Sequence, residues 1–158
     1  MTTIATDGVW VAADKQMTMG CYKTKTRKLS CIQGLGVISF AGHAGAGVKA
    51  LRWWQGGCDG DPPEFTENEI ECGIGGILVT EKGIFALQDG IIPLEIDAPF
   101  FAIGSGAEYA IAAMSLGKTP EEAVKEASKH DIYTSDEVDV VAVLPWTASP
   151  KRKRQIKE

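Results

Sequence analysis

The residue with the most chemistry available to it stands directly behind the initiator methionine. Removal of Met1 would leave Thr2 with a free α-amine and a hydroxyl on adjacent carbons. An α-amine has an unperturbed pKa of about 7.7–8.0, so a usable fraction is neutral near pH 7 and can take the hydroxyl proton. Nucleophile and base then sit in one residue. Taken alone, Thr2 reads first as an ordinary second-position threonine entering a strand, so its surroundings must decide. His43 and His130 are the only histidines, and neither is spaced to pair with a nucleophile; both read as surface or capping residues. Cys21, Cys31, Cys58 and Cys72 show no C-x-x-C spacing, and two histidines do little to complete a metal site. Free thiols, no metal and no cofactor are the expectation.

The elements that would position Thr2 can be read from periodicity and turn chemistry. Thr3 to Thr6 and Val9 to Ala13 are β-prone runs around Asp7-Gly8, a dipeptide suited to a type I′ hairpin turn. A polar stretch from Lys15 to Arg27 follows, then Lys28 to Ile32 and Gly36 to Phe40 around Gln33-Gly34, so the chain is expected to open as a four-stranded antiparallel unit. Apolar residues 48, 51 and 54 fall on one helical face over Val48 to Gln55, and Gly56 to Asn68 reads as a loop. Ile74 to Thr80 with Gly83 to Gln88 predicts a second hairpin, and Pro99 to Ile103 a further strand. Helices are predicted over Ala107 to Leu116, closed by Gly117, and Pro120 to Lys129, with Thr119 as N-cap and Glu121-Glu122 in its first turn. Val138 to Leu144 is the last predicted strand. Strand pairs, a helix, more strand pairs, two helices and a strand contain no βαβ alternation, which points to an α+β fold of two antiparallel sheets flanked by helices.

Length and composition agree with one folded domain. The chain has 158 residues, 44% of them hydrophobic and 23% charged, with a net charge of −5. We place the domain at 1–146 and a basic tail at 147–158, where the last eight residues hold five positive side chains and one negative; the preceding residues carry −9. An acidic body without an interleaved basic and aromatic pattern argues against nucleic acid as a partner. The least polar stretch, Leu35 to Val48, is broken by glycines and His43, which excludes a helical membrane span. The first residues lack a basic start and an apolar run, so a cytoplasmic location is expected.

Five motifs occur in one order: Thr2-Thr3-Ile4; Ala12-Ala13-Asp14 with Thr18; Lys25 ahead of Lys28-Leu29; Phe40-Ala41-Gly42; and Ile103-Gly104-Ser105-Gly106. Together they make the chain resemble the proteasome β-subunit family of N-terminal nucleophile hydrolases, most closely its bacterial HslV-type peptidase subunit, over most of residues 2 to 144. The resemblance implies a four-layer αββα sandwich and a threonine peptidase that needs no cofactor. It implies Thr2 as nucleophile with its own amine as base, and Lys25 as an ammonium that keeps that amine neutral. Asp14 would hold Lys25, Ser105 would orient the amine, and the Gly42 N–H would donate to the oxyanion. Asp131 and Thr134 match the pair that supports the amine, more loosely than the rest. Thr18 would pair with an extended substrate, and Met17, Phe40 and Ala44 would line an apolar specificity pocket. Each residue also has a plain reading: Asp14 can cap amides at a hairpin end, and Met17 and Phe40 can be core.

The resemblance further implies a peptide or unfolded-protein substrate, a ring-type homo-oligomer and an AAA+ ATPase unfoldase as partner. One departure stands out. The family has two long helices between its first two strand pairs and the second hairpin, whereas this chain has room for one, so the second is expected to be shortened or missing. Two other readings remain open at this stage, an amidohydrolase of small amides and a catalytically silent protein of the same fold.

Overall fold

The computed structural model describes residues 1–147. The first half contains β1 (Thr3–Thr6), β2 (Trp10–Asp14), β3 (Gln16–Met19), β4 (Tyr22–Lys25), β5 (Leu29–Ile32), β6 (Gly36–Gly42), α1 (Ala44–Gln55) and α2 (Glu67–Cys72). The second half contains β7 (Ile74–Thr80), β8 (Gly83–Gln88), β9 (Ile92–Ile96), β10 (Phe101–Gly104), α3 (Ala107–Ser115), α4 (Pro120–Ala127), β11 (Val138–Ala142) and α5 (Leu144–Thr147). The basic run at 151–158 lies outside the described residues.

Alternation of side chains along the strands builds four layers. One sheet has the order β10-β1-β2-β11 and the other β5-β6-β7-β8-β9, all neighbours antiparallel. Ile4, Val11 and Ala13 point from the first sheet to meet Val37, Ile77, Val79 and Ile84 of the second, closing a core between the sheets. The residues between them in sequence face outward. Ala5, Ala12 and Ala102 pack under Ala110, Ala113, Met114, Ala123, Val124 and Ala127 of α3 and α4, and alanine on both sides lets helix and sheet approach closely. Ile38, Leu78 and Leu87 do the same on the opposite face with Trp54 of α1, whose indole N–H is satisfied by the Gly90 carbonyl at 2.9 Å. The result is the αββα sandwich.

The fold departs from the sequence expectations at several points. The first four strands read from sequence do not form one sheet, because β1 and β2 join β10 and β11 while β5 and β6 join β7. Asp7-Gly8 does not make a type I′ turn; of the two only Gly8 has a positive φ, 83°, and the Asp7 carboxylate accepts the N–H groups of Val9 and Trp10. The polar stretch from Lys15 to Arg27 holds the β3–β4 hairpin, a separate two-stranded sheet largely exposed on β4 and so without apolar alternation. Strand β9 was likewise hidden, since four of its five residues are exposed. Helix α1 starts four residues early, at Ala44, where His43 Nδ1 accepts the Ala46 N–H. The expected loop ends in α2, six residues long, started by a capping box between Thr66 and Glu69. This is the shortened second helix.

Candidate functional site

Thr2 sits at the floor of a cleft of about 510 Å³ and is 5% exposed. Its position is set by backbone on both sides. The Thr2 carbonyl accepts the Ser105 N–H at 2.8 Å, and the next amide, Thr3 N–H, donates to Asp14 Oδ1 at 2.9 Å. Gly104 makes the first contact possible: its φ is +98°, and a Cβ there would collide with the Thr2 carbonyl oxygen. The two neighbouring threonines then part in role. The Thr3 hydroxyl is buried and tied to Thr134 Oγ1 at 2.6 Å and to the Gly106 N–H at 3.0 Å, whereas Thr2 faces the cleft.

Asp14 ends β2 with no solvent exposure and gathers donors from four places. Besides Thr3 N–H it accepts the amides of Gln16 at 3.0 Å and Ser135 at 3.2 Å, and its Oδ1 accepts Lys28 Nζ at 2.7 Å. The Lys28 ammonium and the Thr3 amide thus meet on one oxygen, which puts a positive charge within a residue of Thr2. Lys28 reaches this place because it immediately precedes β5, which lies against β2. Burial pushes the Lys28 pKa below its ordinary value, opposed by its hydrogen bond to Asp14 and by the charges of Asp14 and Asp131.

On the other side of Thr2 the hydroxyls are ordered by one carboxylate. Ser105 and Thr134 each donate to Asp131 Oδ2 at 2.6 Å, and Tyr133 N–H donates to Asp131 Oδ1 at 3.2 Å. With the Thr134 proton spent on Asp131, the Thr3 hydroxyl donates to Thr134. Ser105 Oγ also lies 3.5 Å from the Thr2 carbonyl oxygen. Burial pushes the Asp131 carboxyl up, but the two hydroxyls, the Tyr133 amide and the positive N-terminal amine outweigh it and hold the pKa below the ordinary value. A depressed carboxyl stabilises the fold above its unfolded pKa of about 3.9, and that contribution is lost as pH falls through the folded value. Asp131→Asn should therefore lower the melting temperature at pH 7, and the gap from wild type should narrow as pH falls below the ordinary carboxylate range. Thermal melts of both proteins against pH check this.

The opposite wall of the cleft comes from β3, the end of β6 and the start of α1. Met17, Thr18, Phe40 and Ala44 all line it, together with Gln16, Thr26, Gly42, His43 and Cys72. Gln16 braces β3 by donating from Nε2 to the Ile132 carbonyl at 3.0 Å. Among the described residues β3 pairs only with β4. His43 N–H is bonded to the Gly73 carbonyl at 2.9 Å, so the N–H of Gly42, one residue earlier on the strand, points away from β7. Gly42 itself has φ +108° and packs its α-carbon against the same carbonyl.

No family model and no curated protein matches the sequence. Solved structures do. HslV from Trypanosoma brucei superposes with a TM-score of 0.70 over 89% of this chain and 98% of its own, at 20% identity.

This chain has the HslV fold.

Thiobacillus denitrificans BPH gives a TM-score of 0.65 at 19% identity, and the same protein in complex with epoxomicin gives 0.65 at 18%, each over 89% of this chain and 96% of its own. This chain thus spans nearly the whole of the structures it resembles.

Within that fold one sequence expectation is wrong in its geometry. Lys25 does not meet Asp14; it ends β4, pairs in register with Gln16, and carries its exposed ammonium to Glu137 on the outside of the hairpin. Lys28 takes the place beside Asp14. The sequence signal was there, because Lys28 adjoins the apolar strand residue Leu29 while Lys25 lies inside the polar stretch, and only the former can be carried into the core. Ser105 N–H reaches the Thr2 carbonyl, Gly42 lines the cleft with Thr2, and Asp131 and Thr134 lie behind them, bonded to Ser105 and Thr3. Asp14 caps amides, as its plain reading has it, and holds Lys28 in place of Lys25. His43 and His130 make no nucleophile pair: His43 caps α1, and His130 stacks on Tyr109 with ring centroids 5.0 Å apart. All four cysteines are free. Among the described residues no helix is long and apolar enough to cross a membrane.

Proposed function

We propose that the protein is a threonine peptidase whose nucleophile is Thr2 after loss of Met1. The observation that carries this reading is the buried Lys28–Asp14 pair, which brings an ammonium to the amide bond following a cleft-facing threonine. In this reading the Thr2 amine takes the hydroxyl proton, directly or through a water, and Oγ attacks the substrate carbonyl. The Lys28 charge disfavours a second positive charge beside it and keeps the amine neutral near pH 7. Ser105 Oγ holds the amine by its free lone pairs, and the Gly42 N–H donates to the oxyanion. Collapse of the tetrahedral intermediate expels the amine of the product, protonated by the Thr2 ammonium, and leaves an ester on Thr2 that water hydrolyses.

The substrate is a peptide or an unfolded protein, added as a strand along β3 at Thr18 with an apolar side chain between Met17, Phe40 and Ala44. The family resemblance also carries the proposal that copies of the chain assemble into a ring supplied by an AAA+ unfoldase in the cytoplasm. A peptide epoxyketone tests the central claim, because it closes on hydroxyl and amine of an N-terminal threonine together. The expected intact mass is that of the chain without Met1 plus one adduct. A chain that retains Met1 and takes no adduct overturns the reading.

A further inference from the structure

The shortened helix α2 is tied to the catalytic cleft by a buried carboxylate that the reaction itself does not use. Glu69 is 6% exposed although it lies on a helix of six residues. Its Oε2 accepts Lys49 Nζ from α1 at 2.8 Å and the Thr66 N–H at 2.8 Å, and Lys49 also donates to the Glu64 carbonyl at 3.3 Å. Its Oε1 lies over Gly45, in the first turn of α1, where a Cβ would come within 3.4 Å of it. α1 has no acidic residue of its own in that turn, so Glu69 supplies one from α2. Three residues further on, Cys72 lines the cleft, and Gly73 offers the carbonyl that takes His43 N–H and backs Gly42.

We propose that Glu69 is a positioning residue for the oxyanion donor: by clamping α2 to the start of α1 it fixes the Gly73 carbonyl behind the Gly42–His43 turn and so aims the Gly42 N–H into the cleft. The inference rests on the threonine-peptidase reading. The physical argument is one of constraint. Gly42 has an unusual φ and no side chain, so nothing of its own restrains the peptide that carries the donor. The ladder to Gly73 does, and Gly73 is the C-cap of a helix too short to hold itself in place. Glu69 and Lys49 supply what the missing turns of helix do not. A donor moved by a fraction of an ångström serves a substrate carbonyl nearly as well as before but a tetrahedral oxyanion much less well.

The test compares Glu69→Gln and Glu69→Ala in the processed, full-length protein. Glutamine keeps an acceptor for Thr66 N–H and Lys49, so it should retain at least half of wild-type kcat. Alanine removes the clamp and should lower kcat about 10-fold with KM changed less than twofold, a fraction of the roughly 10²–10³ that loss of an oxyanion donor costs. A peptide boronic acid, which becomes tetrahedral on Thr2 Oγ, should lose affinity for the alanine variant by the same factor. The matching peptide alcohol, which forms no adduct, should not. Equal losses in Gln and Ala would assign the effect to charge at the α1 terminus and overturn the proposal. A lower melting temperature with boronate affinity intact would show a merely structural role and overturn it as well. Failure of the wild type to cleave or to bind the boronate would instead overturn the peptidase reading, whatever the variants do.

Discussion

Thr2→Ala should reduce peptide turnover to the uncatalysed background while the protein melts within a degree or two of wild type. Thr2 lines the cleft, and the contacts that hold the residue are those of its backbone, through its carbonyl to Ser105 N–H and the following amide to Asp14. Alanine keeps both, and its small size leaves removal of Met1 unaffected, so only the nucleophile is lost. Removing the attacking atom of a covalent mechanism costs about 10⁴-fold or more. Thr2→Ser should keep measurable activity, since hydroxyl and amine stay on adjacent carbons. Thr3→Ala makes the contrast. Its hydroxyl is committed to Thr134 and Gly106, and its loss leaves buried partners unsatisfied at about 1–3 kcal/mol. That variant should melt lower yet still take one epoxyketone per folded chain. Turnover of Thr2→Ala equal to wild type would place the nucleophile elsewhere.

How far the sequence exposes such a site depends on whether the signal is local. Thr2, Asp14, Gly42 and Ser105 stand at strand ends or glycine turns that short motifs mark, and for that reason the sequence offers them as candidates. The helix α4 was legible from Thr119, Pro120 and Glu122, where cap, first-turn proline and capping box coincide. The pairing of β1 with β10 was not, because Thr6 and Phe101 meet across 94 intervening positions with no single hairpin turn to fix the register. The β3–β4 hairpin escaped because its outward faces are polar, and period-2 alternation is visible only where one face is buried. Lys25 and Lys28 stand three residues apart in one polar, basic run, and what separates them is the apolar strand β5 that Lys28 alone adjoins. Glu69 had no motif beyond a capping box, and its partner Lys49 is twenty residues away on another helix.

Lys28 gives the second large effect and the direct test of that distinction. Lys28→Ala should lower turnover by about 10²-fold or more, in the range of groups that set the protonation of a catalytic base. The pH dependence should change as well. Without the ammonium beside it the Thr2 amine protonates more readily, so the acidic limb of the kcat/KM profile should move to higher pH, and part of the lost rate should return at pH 9. Stability falls too, since Asp14 is left fully buried without its counter-charge. Breaking a buried pair typically costs about 3–5 kcal/mol, and the three amides that remain on Asp14 place this case at the lower end. Lys25→Ala should do neither. Its pair with Glu137 is exposed on both sides and worth at most about 1 kcal/mol, and its ammonium points away from the cleft. If Lys25→Ala silenced the protein and Lys28→Ala did not, the assignment made from the buried pair would be reversed.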